Sequence, residues 1–258
     1  TVINLAACLA ESGKRVLIID MDPQGHATLG LGLKMAEAEK GLYHVLANQD
    51  THISSVIKET YHPALHLAPS NSLLASAQID LINIVGRETI LRHKISVIRQ
   101  KYNFIIIDCP PSLNLLTVNA LVAAEKIIIP VQTHFYSLDG MSELFKTIDI
   151  VKQRLNPGLE ILGILPTLFD KRTKVQHQVL QALKDYFREN ENNIKVFDSV
   201  IHSCVSLTEC PIYGKPVIKH RPKSRGSNDY WSLTREILGT EENSGFGKIA
   251  PERLAINA

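Results

Sequence analysis

Three aspartates stand where apolar runs stop. In VLIIDMDPQG, Val16 to Gly25, Asp20 ends an aliphatic run, Asp22 follows two positions later, and a Pro-Gln-Gly turn comes next. In FIIIDCPPS, Phe104 to Ser112, Asp108 ends a second run in the same way, ahead of two prolines. A lone Asp at such a point serves as a cap for the next turn or helix. Two runs of this form point further. Carboxylates gathered at one edge repel one another unless a cation relieves them, and Mg²⁺ on a nucleotide phosphate suits oxygen ligands of this kind. The chemistry open to these residues is the holding of a metal–phosphate group.

Such a site requires the runs to be neighbouring strands of one sheet, because ligands of open α/β sheets bind beyond the carboxyl ends of the strands. The rest of the chain supplies that frame. Apolar runs at 15–20, 65–70, 104–112, 126–131, 159–169 and 195–201 read as strands buried on both faces, some with the turn that ends them. Between them, helical spacing predicts helices over 2–12, 41–48, 53–60, 88–102, 113–124, 137–155, 174–189 and 227–238, with Gly13 closing the first. Alternating strands and helices mean an α/β fold: a single, mostly parallel sheet with helices on both faces. The chain reads as one domain over 1–238, followed by a loose Gly- and polar-rich tail over 239–258.

Composition sets outer limits. The 258 residues are 45% hydrophobic and 21% charged, as in a packed globular protein, and the net charge is only +2. Nucleic-acid binding would therefore need a local basic patch. The four cysteines (Cys8, Cys109, Cys204, Cys210) form no C-x-x-C pair and read as reduced thiols of a cytoplasmic protein. No apolar run reaches the roughly 18 residues of a membrane span. The pattern G-x-x-x-x-G-K-[ST], which would cradle phosphates at a helix start, is absent; the Gly-Lys of ESGKR, 11–15, ends a helix instead.

Five blocks in order, TVINLAACLAESGKRVLIIDMDPQGHATLGLG, YNFIIIDCPPSLNLLTVNAL, IIIPVQTHFYSLDGMSEL, GILPTLFDKRT and LTECPIYGKPVI, resemble ParA-type (Soj-like) chromosome- and plasmid-partition ATPases. The resemblance implies a P-loop NTPase-like fold with ATP and Mg²⁺ as cofactors. In that family a deviant phosphate loop, K-G-G-x-G-K-[ST], precedes the segment matching Thr1 to Asn4. The strand before that loop lies in the middle of the sheet. Both are missing ahead of Thr1, so the chain reads as an N-terminally truncated member whose sheet lacks its first strand and which, without the phosphate loop, is expected to be inactive as an ATPase as it stands. By the same resemblance Asp22 would position and polarise the water that attacks the γ-phosphate. Asp20 would support the site from one step back. Asp108 would hold Mg²⁺ through its water shell. The PTLFD turn, Pro166 to Asp170, and the turn near Ile201 would line the adenine pocket. The division is physically sensible, since phosphoryl transfer needs mainly positioning and charge neutralisation. One departure is IHS, Ile201 to Ser203, where the family reads Ile-Pro-Arg: Ser203 replaces a cation.

KHRPKSRG, 219–226, places Lys219, Arg221, Lys223 and Arg225 within seven residues, with Pro222 and Gly226 expected to keep the run out of a helix. Such a run is a solvated loop or a sequence-independent contact to DNA phosphates. ParA-type proteins bind DNA nonspecifically once dimerised on ATP, and a ParB-type centromere-binding protein stimulates hydrolysis and release. The resemblance thus implies a nucleoid-associated homodimer. The tail, with Gly245, Gly247 and Pro251, lacks the basic amphipathic helix that carries MinD-like relatives to membranes. The paired cysteines of iron–sulfur relatives are also lacking. The alternative function is a non-enzymatic remnant that binds DNA or a partner protein but not ATP.

Overall fold

The computed structural model describes residues 1–36, 39–134, 141–189, 194–243 and 252–257. In chain order the elements are α1 (Val2–Glu11), β1 (Val16–Asp20), α2 (His26–Gly30), α3 (Leu42–Ala47), β2 (Lys58–Glu59), β3 (Leu65–Ala68), α4 (Ala77–Asp80), α5 (Ile90–Ser96), β4 (Phe104–Cys109), α6 (Leu115–Ala123), β5 (Lys126–Gln132), α7 (Met141–Arg154), β6 (Glu160–Thr167), α8 (Lys174–Glu189), α9 (Val205–Tyr213), α10 (Val217–His220), α11 (Arg225–Asn243) and β7 (Glu252–Asn257). The strands form one sheet in the order β2-β3-β1-β4-β7-β5-β6. Every pairing is parallel except that of β2 with β3, which is antiparallel.

The strands are apolar on both faces because helices cover both. Leu17, Ile19, Ile105, Ile107 and Ile127 pack into one core with α5, α6 and α7. Val16, Ile18, Phe104, Ile106 and Ile128, one position out of phase, pack into a second core with α1 and α11. The period of two along each strand sends alternate side chains to opposite layers.

The largest departure from expectation is at the C-terminus. The segment read as loose from Gly239 instead continues α11 to Asn243 and then supplies β7, Glu252 to Asn257. Residues 244–251 and 258 lie outside the described residues. β7 lies between β4 and β5, so the middle of the sheet is filled by the chain's own C-terminal segment and does not lack a strand. Leu254 and Ile256 enter the second core and Ala255 the first. At the start of the strand a charge cluster fixes the register. Arg253 pairs with Glu125 at 3.0 Å, Glu252 pairs with Lys126, and Glu125 also pairs with Arg99.

Smaller corrections have local causes. Residues 195–201 form no strand; isolated bridges at Ile164–Val196 and Phe169–His202, with a few backbone hydrogen bonds such as Ile201 N–H to the Pro166 carbonyl, join this part of the chain to β6 and the turn after it. The N–H groups of Asp198 and Ser199, which a ladder would use, donate instead to the Glu236 carboxylate on α11 at 3.1 and 2.9 Å. The helix expected over 53–60 is a single turn at Ile53–Ser55 followed by edge strand β2. The helix expected over 88–102 breaks into short turns around α5. The first residues of the helix expected over 137–155, 137–140, lie outside the described residues.

Candidate functional site

The parallel strands end together at one edge, and there the aspartates meet. Asp20 on β1 stands opposite Asp108 on β4 in register. Asp20 is fully buried. Its Oδ2 accepts from the Thr28 N–H at 2.8 Å and the Thr28 hydroxyl at 2.6 Å, and its Oδ1 accepts from the Asp22 N–H at 3.2 Å. The Thr28 hydroxyl in turn accepts from the Ser70 N–H at 3.0 Å. Asp20 thus ties β1, α2 and the loop after β3 together from inside the wall. Burial pushes its carboxyl up to about 6 despite these donors.

Asp22 lies one step further out and lines the cleft. Its Oδ1 accepts from the Gln24 N–H at 2.9 Å and its carbonyl from the Gly25 N–H at 2.9 Å, which closes the turn. Gly25 has φ 64, and a Cβ there would lie 3.2 Å from the Ser70 carbonyl oxygen. The turn that aims Asp22 therefore needs a glycine. Asp108 also lines the cleft. Burial, with the charges of Asp20 and Asp22 adding to it, raises its carboxyl to about 7. Among the described residues none donates a hydrogen bond to that carboxylate. A half-buried carboxylate with no donor among the described residues, beside two others, is the electrostatic setting that a cation relieves.

The cleft has a volume of about 670 Å³, within the range of small-ligand sites. The first residues of α1 form one wall, and its leading N–H groups have no partner within the helix. Tyr230 on α11 is buried at the back of the cleft, whose lining it shares with Thr1 and Asn4. Asn4 also accepts from the Val217 N–H at 2.8 Å, which ties α1 to α10. Cys109 and Cys210 reach the cleft, but burial raises both thiols, Cys210 to about 11, so neither is an activated nucleophile.

Of the residues singled out in the sequence, Asp22, Asp108 and Ile201 line this cleft. Pro166 and Asp170 do not; Thr167 and Leu168 between them do. Leu168 has φ 53, a left-handed conformation that costs a residue with a Cβ about 1–2 kcal/mol. Pro166 accepts from the Ile201 N–H at 2.9 Å and fixes one side of the turn. On the other side the Arg172 guanidinium, hydrogen-bonded to Asp170, holds that carboxyl down to about 2.

The basic run is divided among three elements. Lys219 is in α10, Arg225 and Gly226 open α11, and only 221–224 lie between. Gly226 is helical after all; a Cβ there would lie 2.7 Å from Leu207, so the glycine permits α11 to pack on α9. Lys219 pairs with Glu11 at 2.9 Å, Arg221 lies 3.9 Å from Glu209, and Arg225 donates to His202 Nε2 at 2.7 Å. Lys223 is exposed, with no partner among the described residues.

Sequence reasoning missed Lys215, Asn4 and Tyr230 on the cleft. For Lys215 the signal was the Gly-Lys-Pro of YGKPVI, a helix end followed at once by a helix start. For Asn4 and Tyr230, more than two hundred positions apart, no local signal exists.

A family model described as an AAA domain matches residues 1–161. The sporulation initiation inhibitor protein Soj of Bacillus subtilis is 44% identical over 237 residues, 92% of this chain and 91% of that protein. The chain belongs to the ParA-type partition ATPase family. The chromosome partitioning protein ParA of Myxococcus xanthus is 43% identical over 238 residues, 92% of this chain and 82% of that protein. Among solved structures, cobyrinic acid a,c-diamide synthase from Mycobacterium smegmatis with bound ATP analog and magnesium superposes with a TM-score of 0.80. It is 31% identical, and the match covers 97% of this chain and 91% of that one. The ParA-type fold is that of P-loop NTPases, and among the described residues no helix is long and apolar enough to cross a membrane.

Proposed function

We propose that this ParA-type chain binds Mg²⁺–ATP in the cleft, dimerises on it, and in that state binds DNA without regard to sequence, hydrolysis releasing the DNA. The observation that carries the reading is the convergence of Asp22, Asp108 and the start of α1 on one cleft at the carboxyl edge of the sheet. The residues present fit the ligand. Asp108 is a carboxylate with no donor among the described residues and would hold Mg²⁺ through water, where the ion neutralises phosphate charge. Asp22 has a second carboxylate oxygen free to accept a proton from the attacking water and orient it. Asp20 keeps the Asp22 turn in place through Thr28 and the Asp22 N–H. The Thr167–Leu168 turn and Ile201 offer an apolar wall for the base, with Pro166 and Asp170 holding that turn from either side. Phosphates would meet the α1 N-terminus, next to the position where the family carries its phosphate loop.

DNA contact is assigned to Lys219, Arg221, Lys223 and Arg225. Lys223 is the cation of the four with no partner among the described residues, and the others would exchange their protein partners for phosphates. A ParB-type centromere-binding protein is the partner that would stimulate hydrolysis, and the nucleoid is the location. The test is equilibrium binding of ATP with and without Mg²⁺, followed by DNA binding with and without ATP. Mg²⁺-dependent ATP binding and ATP-dependent DNA binding are expected. DNA binding by a chain that takes no ATP would sink the enzyme reading and leave the non-enzymatic remnant.

A further inference from the structure

We infer that Lys215 is this chain's own cationic partner for the phosphate chain of the nucleotide, its backbone held at the cleft by a contact between Gly214 and Gly32. The inference rests on the nucleotide reading of the cleft. Asp22 and Asp108 bring two carboxylates to the lining, and among the described residues Lys215 is the one lysine or arginine there. A triphosphate with its magnesium still carries a net charge of about −2 at neutral pH, and beside two carboxylates it needs a positive partner.

Four other lysines are committed elsewhere. Lys126 pairs with Glu252, Lys195 with Glu236 and Lys219 with Glu11. The Lys94 ammonium is held by the carbonyls of Asn48, Gln49 and Thr51. The Lys215 side chain is exposed and has no partner among the described residues.

The backbone of Lys215 is fixed on every side. Gly214 closes α9 in the left-handed conformation, φ 58, and the Lys215 N–H donates to the Cys210 carbonyl at 3.3 Å. Pro216 follows as the cap of α10, and α10 is tied to Asn4 through the Val217 N–H. Gly214 also lies against Gly32, itself at φ 79, so closely that a Cβ on Gly214 would be 2.5 Å from the Gly32 Cα. Gly32 follows α2, the helix entered from the Asp22 turn. The two glycines therefore hold the Lys215 backbone in a set position relative to Asp22, while the four-carbon stem leaves the ammonium free to reach a bound anion.

The test is equilibrium binding of Mg²⁺–ATP, Mg²⁺–ADP and adenosine to the full chain and to Lys215→Ala and Lys215→Arg. For Lys215→Ala, ATP affinity should fall roughly tenfold, as expected when one charge-assisted hydrogen bond is removed. ADP affinity should fall less, and adenosine affinity should not change. Lys215→Arg should recover most of the ATP affinity. Thermal unfolding of the free protein should be the same in all three. If the parent binds ATP and Lys215→Ala binds it equally well, Lys215 does not touch the phosphates. An equal loss for adenosine would also overturn the proposal, by assigning the residue to packing. If the parent binds neither ATP nor ADP, the nucleotide reading of the cleft fails first and takes the inference with it.

Discussion

Asp108 on β4 stands directly opposite Ile256 on β7 in parallel register. The acid that faces the cleft is thus held by a neighbouring strand, Glu252 to Asn257, drawn from the C-terminal end of the chain. On its other side the same β4 residue is paired with Asp20. The alignment of the two carboxylates and the docking of β7 are parts of one ladder.

Removing residues 244–258 should therefore unfold the protein and not merely trim it. The deletion would bare the facing edges of β4 and β5 and the apolar side chains beneath Leu254 and Ile256, all fully buried now. The expected outcome is loss of a cooperative thermal transition by circular dichroism. The milder Ile256→Ala should keep the fold and cost about 2–5 kcal/mol in denaturant unfolding. A deletion variant that melts like the parent would mean that β7 contributes nothing to the sheet.

Asp20 gives a pH dependence with a definite sign. Its folded-state carboxyl is raised from 3.8 to about 6, so the folded chain holds this proton more tightly than the unfolded chain. Between about pH 4 and pH 6 the folded state binds more protons, and stability from this group falls as pH rises. The two-unit difference sets a scale of about 3 kcal/mol. In Asp20→Asn that decline should be visibly flatter when denaturant midpoints are followed from pH 4 to pH 7. An unchanged slope would mean that Asp20 does not titrate in this range.

Asp22 and Asp108 should separate kinetically in a chain joined to a phosphate loop ahead of Thr1. Asp22→Ala should bind ATP nearly as well as the parent and turn it over at least a hundredfold more slowly, as when a water-positioning group is removed. Asp108→Ala should weaken the Mg²⁺-dependent part of ATP affinity itself. Nucleotide affinity and steady-state turnover, measured on both variants, discriminate these roles. Equal loss of binding in the two would erase the distinction.

For DNA, the triple change of Arg221, Lys223 and Arg225 to Ala should weaken binding to all sequences alike. Each phosphate that no longer meets a cation should make the slope of log affinity against log salt shallower by roughly 0.9. Because Arg225 is engaged with His202, the single change Lys223→Ala should account for a large share of the effect. DNA affinity at several salt concentrations with ATP present is the measurement. A parent-like slope in the triple variant would leave the run a solvated loop.

The close approach of Gly214 to Gly32 predicts that Gly214→Ala destabilises the chain by about 1–3 kcal/mol, read as a lowered denaturant midpoint. The new Cβ would collide with backbone, which cannot rotate away as a side chain can, and φ 58 adds its own strain. A stability within about 0.5 kcal/mol of the parent, on the scale of ordinary surface changes, would show that the two loops can part.

The sequence by itself determined the alternating α/β frame, because strands buried on both faces must be apolar throughout and leave a plain signal at β1, β4, β5 and β6. It also determined that Asp22 and Asp108 share an edge, since parallel strands that each end in an acid deliver those acids to the same side. The tertiary structure alone decided what happens at 252–257. ERLAIN is short, with charges at its first two positions, and carries too little periodicity to be told from a tail; it becomes a strand because β4 and β5 leave a gap of its width and Glu125 and Lys126 stand ready to pair with those charges. The structure likewise decided that Asp20 and Asp22 differ in kind, one a buried tie to Thr28 and the other a wall of the cleft. Two residues apart in a chain, they look alike until the fold removes one of them from water.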